Sequence, residues 1–106
     1  MKKQIILLKE ARRIYYTLKK KNKSILIKAI NNKLHLIEVD PSSGIRIQKK
    51  LIPKEYLNKY KLDNLWKINL PEGWRMLYTI KGDEIEIIAF VLEILDHKKY
   101  EERFKY

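Results

Sequence analysis

Two side chains in the last third of the chain, Arg75 and His97, are of types that could act together on a phosphate group. Arg75 follows Trp74 in an apolar run, and a guanidinium presents a planar fork of N–H donors to two phosphate oxygens. His97 follows a second apolar run after one intervening residue, Asp96, and a histidine can give or take a proton near neutral pH. The alternatives are a structural ion pair between Arg75 and a neighbouring glutamate, and an ordinary exposed histidine at position 97.

The chain carries an excess of positive charge that is concentrated in its first two thirds. Residues 1–67 hold 18 Lys or Arg and five Asp or Glu, whereas residues 68–106 hold six and eight. A one-sided basic balance is typical of proteins that bind polyanions. The charge does not distinguish a nucleic acid from an acidic protein, and lysine-rich helix faces that are simply solvated are the structural alternative.

Some side chains are suited to a nucleic acid in particular. Lysines bind backbone phosphates without reading sequence, and such binding weakens as salt rises. The lysines assigned to phosphates are Lys49, Lys50 and Lys54. Aromatic rings stack on unpaired bases, and Trp74, Tyr56 and Tyr60 are available for stacking. A place in the core or at the sheet edge is the alternative for Trp74. For Trp66 we expect the core, and for Tyr78 the core or cross-strand packing.

The composition excludes several kinds of protein and site. There is no cysteine, so neither a disulfide framework nor a thiolate metal site is available. The longest apolar run, residues 87–92, is far shorter than the about 20 residues that cross a bilayer. The N-terminal segment lacks the longer apolar stretch and the cleavage site of a signal peptide. We therefore predict one soluble cytoplasmic domain over residues 1–106, with no membrane partner, no cofactor and no metal site.

The first half of the chain predicts two helices after a short strand. Residues 2–7 could form the strand, and residues 8–21 have the apolar spacing of a helix. Ser24 is the expected N-cap of a second helix, which ends in the Pro- and Gly-containing segment 40–44. Because β-branched residues are frequent in residues 24–30, a strand is the alternative there.

The second half predicts a sheet. Residues 45–60 indicate an irregular basic segment with short extended pieces, including residues 45–51. Strands are predicted at residues 65–70, 74–80 and 84–95. Turns at residues 71–73 and 82–83 join them as hairpins. Asp96 caps a short helical or irregular tail. The fold class is therefore α+β, with two N-terminal helices packed on a small, mostly antiparallel sheet and a short C-terminal tail helix.

This order of elements and the C-terminal half resemble the RelE/ParE superfamily of small toxins from prokaryotic toxin–antitoxin pairs, in particular its archaeal RelE-like branch. The resemblance is carried by the segments “LIPKEY”, “NLWKINLPEGWRMLYTI”, “GDEIEI” and “LEILDHKKYEERFKY”. The likeness is specific over residues 51–106. Residues 1–50 agree with the superfamily only in the pattern of a helical pair.

The resemblance implies an endoribonuclease that cuts mRNA, in many members within the ribosomal A site. The 2′-hydroxyl of the RNA attacks the phosphodiester, and no metal takes part. By this resemblance Arg75 lies on the open face of the sheet, and Lys67 matches a position that is often a catalytic lysine. Tyr100, or else Tyr106, corresponds to the tyrosine close to the end of many members. Asn69 departs from the pattern, since some members have another lysine there.

The tail supplies the remaining candidates that the resemblance implies. His97 would transfer a proton, and Tyr100 would act as acid or base or stack on a base. Lys98, Lys99 and Arg103 of the tail would bind RNA. If the tail folds back over the sheet, Lys99 and Arg103 would also compensate for Asn69.

The resemblance also implies the partners and the competing functions. The partners would be mRNA with the ribosome, and a small acidic RelB-like antitoxin whose amphipathic helix folds on binding. One alternative is an inactive RelE-like homologue that only binds RNA or antitoxin. Another is a ParE-like gyrase inhibitor, although such a protein would not need the acid–base site to which Arg75, His97 and a tail aromatic belong.

Overall fold

The computed structural model describes residues 2–105. Strand β1 (Lys2–Leu7) is followed by helices α1 (Lys9–Lys20) and α2 (Ser24–Val39). The chain continues through β2 (Ile45–Arg46), α3 (Lys54–Tyr60), β3 (Trp66–Asn69), β4 (Arg75–Gly82), β5 (Glu86–Leu95) and α4 (His97–Phe104). Short 3-10 turns lie at Pro41–Ser43, Lys49–Leu51 and Pro71–Gly73.

The five strands form one sheet in the order β1-β5-β4-β3-β2. Strand β1 pairs with β5 in parallel, and the other neighbours are antiparallel. Because β5 has a partner on each side and helices or loops over both faces, it carries the long apolar run that such a strand requires. The predicted mostly antiparallel sheet is confirmed.

Helices α1 and α2 cover one face of the sheet, as their apolar spacing predicts. Ala11 of α1 and Ile30 and Ile37 of α2 are completely buried. They pack against Met76 and Tyr78 of β4 and their neighbours on β5. Burial of one such isoleucine contributes about 1.5–3 kcal/mol, so this interface fixes both helices on the sheet.

The opposite face is covered by a second layer that sequence reasoning only partly anticipated. Its buried members are Ile52, Tyr56, Leu62, Leu65, Leu77, Leu92, Leu95 and Tyr100. They come from the segment around α3, from the sheet and from α4. The expectation of an irregular segment over residues 45–60 is wrong at its end, because residues 54–60 are helical.

The start of α2 differs from the prediction, whereas the start of α4 agrees with it. Ser24 is the first helical residue of α2 rather than its N-cap, which is Lys23 without a side-chain cap. The strand alternative for residues 24–30 is wrong, since they are helical. Asp96 does cap α4, accepting a 2.8 Å hydrogen bond from the Lys99 N–H, and the predicted tail helix is confirmed.

The turn between β4 and β5 lies later in the chain than expected, since β4 extends to Gly82 and β5 begins at Glu86 rather than at residue 84. The Asp83 carboxylate accepts hydrogen bonds from the N–H groups of Ile85 and Glu86. These N–H donors lower the pKa of Asp83. Within residues 2–105, no helix combines the length and the apolar character that crossing a membrane requires.

Candidate active site

Strand alternation brings Lys67 of β3 and Arg75 of β4 to the same face of the sheet. In the β3–β4 pair, Asn69 lies opposite Arg75 and Lys67 lies opposite Leu77. Residues two apart on a strand share a face, so Lys67 and Arg75 are diagonal neighbours across the pair. Leu77 belongs to the layer away from α1 and α2, and both cations therefore lie on that face.

Helix α4 folds back over this face and places Tyr100 against both cations. The Lys67 Nζ donates a 3.0 Å hydrogen bond to the Tyr100 hydroxyl and lies 5.3 Å from the ring centroid. The guanidinium carbon of Arg75 lies 4.9 Å from the same centroid. We call Lys67, Arg75 and Tyr100 the cation–phenol cluster. Two consecutive strands and the C-terminal helix thus bring together three of the four predicted catalytic residues.

Arg75 is held by backbone oxygens and not by a carboxylate. Its Nη1 donates to the carbonyl of Gly73 and, at 3.4 Å, to that of Trp74. Its Nε is buried without a hydrogen-bond partner among the described residues. The structural ion pair considered as an alternative is absent from the ion pairs of residues 2–105. A buried donor without a partner costs about 1–3 kcal/mol, and an anion bound beside the guanidinium would reduce that cost.

His97 lies beside the turn that holds Arg75. Gly73 has a φ of 79°, and a Cβ added to it would lie 2.9 Å from the His97 Cβ. The His97 Nε2 is 3.3 Å from a carboxylate oxygen of Glu101, and the histidine side chain is 59% exposed. Arg75 and His97 therefore both contact Gly73, but the imidazole is paired with Glu101 on the solvent side of α4.

The predicted RNA-binding lysines lie on the surface around this face. Lys49, Lys50 and Lys54 are exposed on the 3-10 turn and at the start of α3, and Lys98 and Lys99 are exposed on α4. Both segments belong to the layer that covers the face of the cation–phenol cluster. Their role in RNA binding stays a prediction.

A second polar group, missed by sequence reasoning, anchors α4 behind the cluster. Glu93 of β5 is buried and accepts a short hydrogen bond from the Tyr56 hydroxyl of α3. The Arg103 Nε of α4 lies 3.8 Å from the same carboxylate oxygen. Burial and the Glu93 carboxylate raise the pKa of Tyr56 far above its ordinary range. The one signal in the sequence was Glu93 itself, a lone charge in an apolar strand.

This polar group changes the interpretation of two predicted residues. Tyr56 is 3% exposed, so its assignment as a stacking platform for bases is wrong. Arg103 is half-buried beside Glu93, and its ion pair with this carboxylate makes its guanidinium less available to RNA. Tyr60 is also partly buried, and its ring centroid lies 6.0 Å from that of Tyr56.

The two tryptophans lie on the helix side of the sheet. Trp66 stacks on Tyr78 with ring centroids 6.2 Å apart, which confirms the expected core place of both residues. Trp74 also packs against the core under α1 and α2. The structure therefore does not bring Trp74 to the cation–phenol cluster. His35 is exposed on α2, and Tyr106 lies outside the described residues.

The residues described contain no metal-binding constellation. Across residues 2–105, no three or more His, Asp or Glu side chains are grouped so that they could hold a metal ion.

Comparison with known proteins gives a fold and no sequence family. No protein-family model and no curated protein sequence matches the chain. Among solved structures, a YoeB/ParE toxin from Agrobacterium tumefaciens aligns with a TM-score of 0.65 over 89% of this chain and 98% of that chain. The two sequences are 12% identical, so the likeness concerns the fold alone. The chain therefore has the α+β fold of that toxin, as its sequence pattern predicted.

Proposed function

We propose that this protein is the toxin of a type II toxin–antitoxin pair and that it cleaves mRNA by metal-independent attack of the RNA's own 2′-hydroxyl. The observation that carries the proposal is the cation–phenol cluster, in which two cations and a phenol meet on one face of the sheet. The fold supports it, because a YoeB/ParE toxin has a similar fold.

The reaction needs three functions from the protein. A base takes the proton of the 2′-hydroxyl as the new O–P bond forms, and cations stabilise the charge on the phosphorane. An acid then protonates the 5′ oxygen as the P–O bond breaks, which leaves a cyclic phosphate and a free 5′-hydroxyl. These steps balance without a metal or a cofactor.

The cluster offers groups for each function. Arg75 and Lys67 supply the charge for the phosphorane, and the fork of Arg75 suits two phosphate oxygens. The Tyr100 hydroxyl is the first proton-transfer group, because the Lys67 ammonium orients it at 3.0 Å. His97, exposed beside Gly73, is the second proton-transfer group.

The partners follow from charge. Exposed lysines flank the face that carries the cluster, so mRNA and ribosomal RNA suit it, and the cytoplasm is where both occur. A small acidic RelB-like antitoxin would meet the same basic surface. Charge complementarity would make that association fast, and the bound antitoxin would cover the site.

A second candidate function is an inactive homologue that only binds RNA or antitoxin. Two observations favour it: Tyr100 is 2% exposed, and Arg75 already donates to the carbonyls of Gly73 and Trp74. A gyrase inhibitor is the third possibility, and the cation–phenol cluster argues against it, because that activity needs no proton transfer.

A translation reaction with a defined mRNA separates these functions. The wild type is expected to cut the message and to leave cyclic phosphate ends. Arg75→Ala and His97→Ala are compared with it, both in this reaction and for growth arrest in cells. Intact message with every variant, together with normal RNA binding, would identify the inactive homologue. Loss of gyrase supercoiling with intact message would identify the gyrase inhibitor.

A further inference from the structure

The connection between α1 and α2 carries positive charge that the protein does not neutralise. Residues 11–37 contain eight Lys or Arg and no Asp or Glu. We call the exposed lysines of this connection the lysine tip, which consists of Lys19, Lys20, Lys21, Lys23 and Lys28. The ion pairs within residues 2–105 are Glu10–Arg13 and Glu93–Arg103, and His97 lies 3.3 Å from Glu101. None of these contacts includes a lysine.

Helix stability explains only part of the lysine tip. Lys19 and Lys20 are in the last turn of α1, where the helix dipole favours positive charge. Lys21 is the C-cap of α1 and is favoured by the same dipole. Lys23 is the N-cap of α2, whose first turn has no acidic residue, and positive charge is unfavourable at that end of a helix. Since helix stability does not account for Lys23, its charge points to an anion outside the protein.

The surface beside the tip is concave and rich in hydrogen-bond donors. An open cavity of about 370 Å³ lies there. The donor side chains that line it are Lys19, Lys23, Lys28, Asn22, Asn31, Asn32 and Ser24. The Asn31 carbonyl oxygen accepts a 2.7 Å hydrogen bond from Tyr15, which leaves the amide N–H groups for a ligand.

These donors suit phosphates better than an acidic protein. Lysine and asparagine side chains are common contacts to nucleic-acid phosphates. A protein partner would need apolar or aromatic anchors, and Ile27 is the apolar residue among those lining the cavity. The chemistry therefore favours a sugar–phosphate backbone.

The β3–β4 turn connects the lysine tip with the candidate active site. On one side, Gly73 lies against His97 and its carbonyl accepts from Arg75. On the other side, Pro71 and Glu72 line a second cavity, of about 190 Å³, together with residues 22–26. The tip and the cation–phenol cluster thus lie at the same end of the sheet, with one turn between them.

We propose that the lysine tip binds the sugar–phosphate backbone of nucleotides that flank the cleaved one. A single RNA strand would run from the cation–phenol cluster across the Pro71–Gly73 turn to the tip, which holds phosphates without reading bases. This inference rests on the proposed function, because it concerns the same RNA.

The test measures the affinity of the wild type and of two lysine variants for RNAs of two lengths. The tip variant is Lys23→Gln/Lys28→Gln, and the matched control is Lys2→Gln/Lys81→Gln, which removes two exposed lysines at the far end of the sheet. The probes are non-cleavable 2′-O-methyl oligonucleotides of about 4 and about 16 nucleotides, a range of single-strand site sizes. Affinity is measured over a series of salt concentrations.

The wild type and the control are expected to bind the longer RNA more tightly than the shorter one. In the tip variant this advantage shrinks, and the slope of log affinity against log salt for the longer RNA falls by about 1.4, the value for two lost single-strand phosphate contacts. Equal slopes in the tip variant and the control overturn the inference. An equal loss for both RNA lengths also overturns it, because it would show a general effect of charge.

The partner class and the proposed function are tested separately. The affinity for polyglutamate, a model of an acidic protein, is measured as well. If the tip variant binds polyglutamate more weakly than the wild type does but binds the longer RNA equally well, the tip binds an acidic protein and the inference is wrong. Cleavage of mRNA by the wild type, and its loss in Arg75→Ala, reports on the proposed function alone. Because the binding probes cannot be cleaved, a failure of the nuclease and a failure of the tip give different results.

Discussion

The ammonium nitrogen of Lys67 lies 3.0 Å from the hydroxyl oxygen of Tyr100, and this hydrogen bond joins β3 to α4 across 33 residues of sequence. Lys67 is placed by its strand, whereas Tyr100 is placed by the way α4 returns over the sheet. The Asp96 cap starts α4, and the stacking of Tyr100 on Phe104, with centroids 4.6 Å apart, continues it toward the second core layer. The cluster therefore depends on the docking of α4.

Removal of one hydroxyl group tests Tyr100 as a proton-transfer residue. Tyr100→Phe keeps the ring between Lys67 and Arg75, so we expect a loss of stability of about 1.5–3 kcal/mol for the hydrogen bond to the Lys67 ammonium. Cleavage of mRNA is expected to fall about 10²–10⁴-fold, the range for a lost acid or base. Tyr16→Phe on α1, at an exposed tyrosine, is the matched control. Wild-type cleavage by Tyr100→Phe would show that the phenol only packs.

The fork of Arg75 can be separated from its charge. Arg75→Lys keeps one positive charge but cannot offer two parallel N–H donors, so we expect mRNA cleavage to fall about 10²–10³-fold. RNA affinity is expected to change much less, because the net charge is the same. Arg12→Lys at an exposed position of α1 is the control. Full activity of Arg75→Lys would mean that charge alone suffices at this position.

Alkaline pH should destabilise the protein through its buried tyrosines. Burial, hydrogen bonding and the Glu93 carboxylate raise the pKa of Tyr56 far above that of an unfolded tyrosine, and burial raises the pKa of Tyr78. Above about pH 10 the unfolded chain releases protons that the folded protein keeps, so the free energy of unfolding falls as pH rises. Tyr56 alone contributes about 1.4 kcal/mol per pH unit to this fall.

Urea unfolding at several pH values measures that dependence. In Tyr56→Phe the slope above about pH 10 is expected to decrease by about 1.4 kcal/mol per pH unit, while Tyr16→Phe keeps the wild-type slope. At neutral pH the same variant should lose about 1–3 kcal/mol, because the buried Glu93 loses its donor. An unchanged alkaline slope would mean that Tyr56 ionises in the folded protein.

The β3–β4 turn should tolerate no side chain at Gly73. The residue has a φ of 79°, and an added Cβ would lie 2.9 Å from the His97 Cβ. Gly73→Ala is expected to destabilise the protein by about 1–3 kcal/mol and to displace the start of α4. The imidazole NMR signals of His97 report the displacement. Glu72→Gly, at a φ of 60° in the same turn, should leave those signals unchanged.

The elements that follow one strong pattern could be predicted from the sequence. Ile30 and Ile37 recur at helical spacing and lie in the helix-side core, and Gly73 marks a turn that only a residue tolerant of positive φ can make. Helix α3 has seven residues, too few for a full apolar stripe. Its buried Tyr56 contacts Glu93 and Phe104, which come from distant parts of the chain. No local sequence pattern therefore predicts the burial of Tyr56.

The candidate site shows the same limit. Arg75 and Trp74 are adjacent in sequence, and strand alternation alone sends them to opposite faces, so their joint assignment to one RNA surface could have been rejected beforehand. The meeting of Lys67 with Tyr100 could not be obtained from spacing, because it depends on where α4 docks. That docking rests on Phe104 and on the pair of Arg103 with Glu93.

The parallel pairing of β1 with β5 has a consequence for biosynthesis. Residues 2–7 leave the ribosome before their partners, residues 86–91, so β1 cannot pair until β5 has emerged. The helix that completes the cluster follows later still. A nascent chain thus lacks the assembled cation–phenol cluster until α4 has emerged.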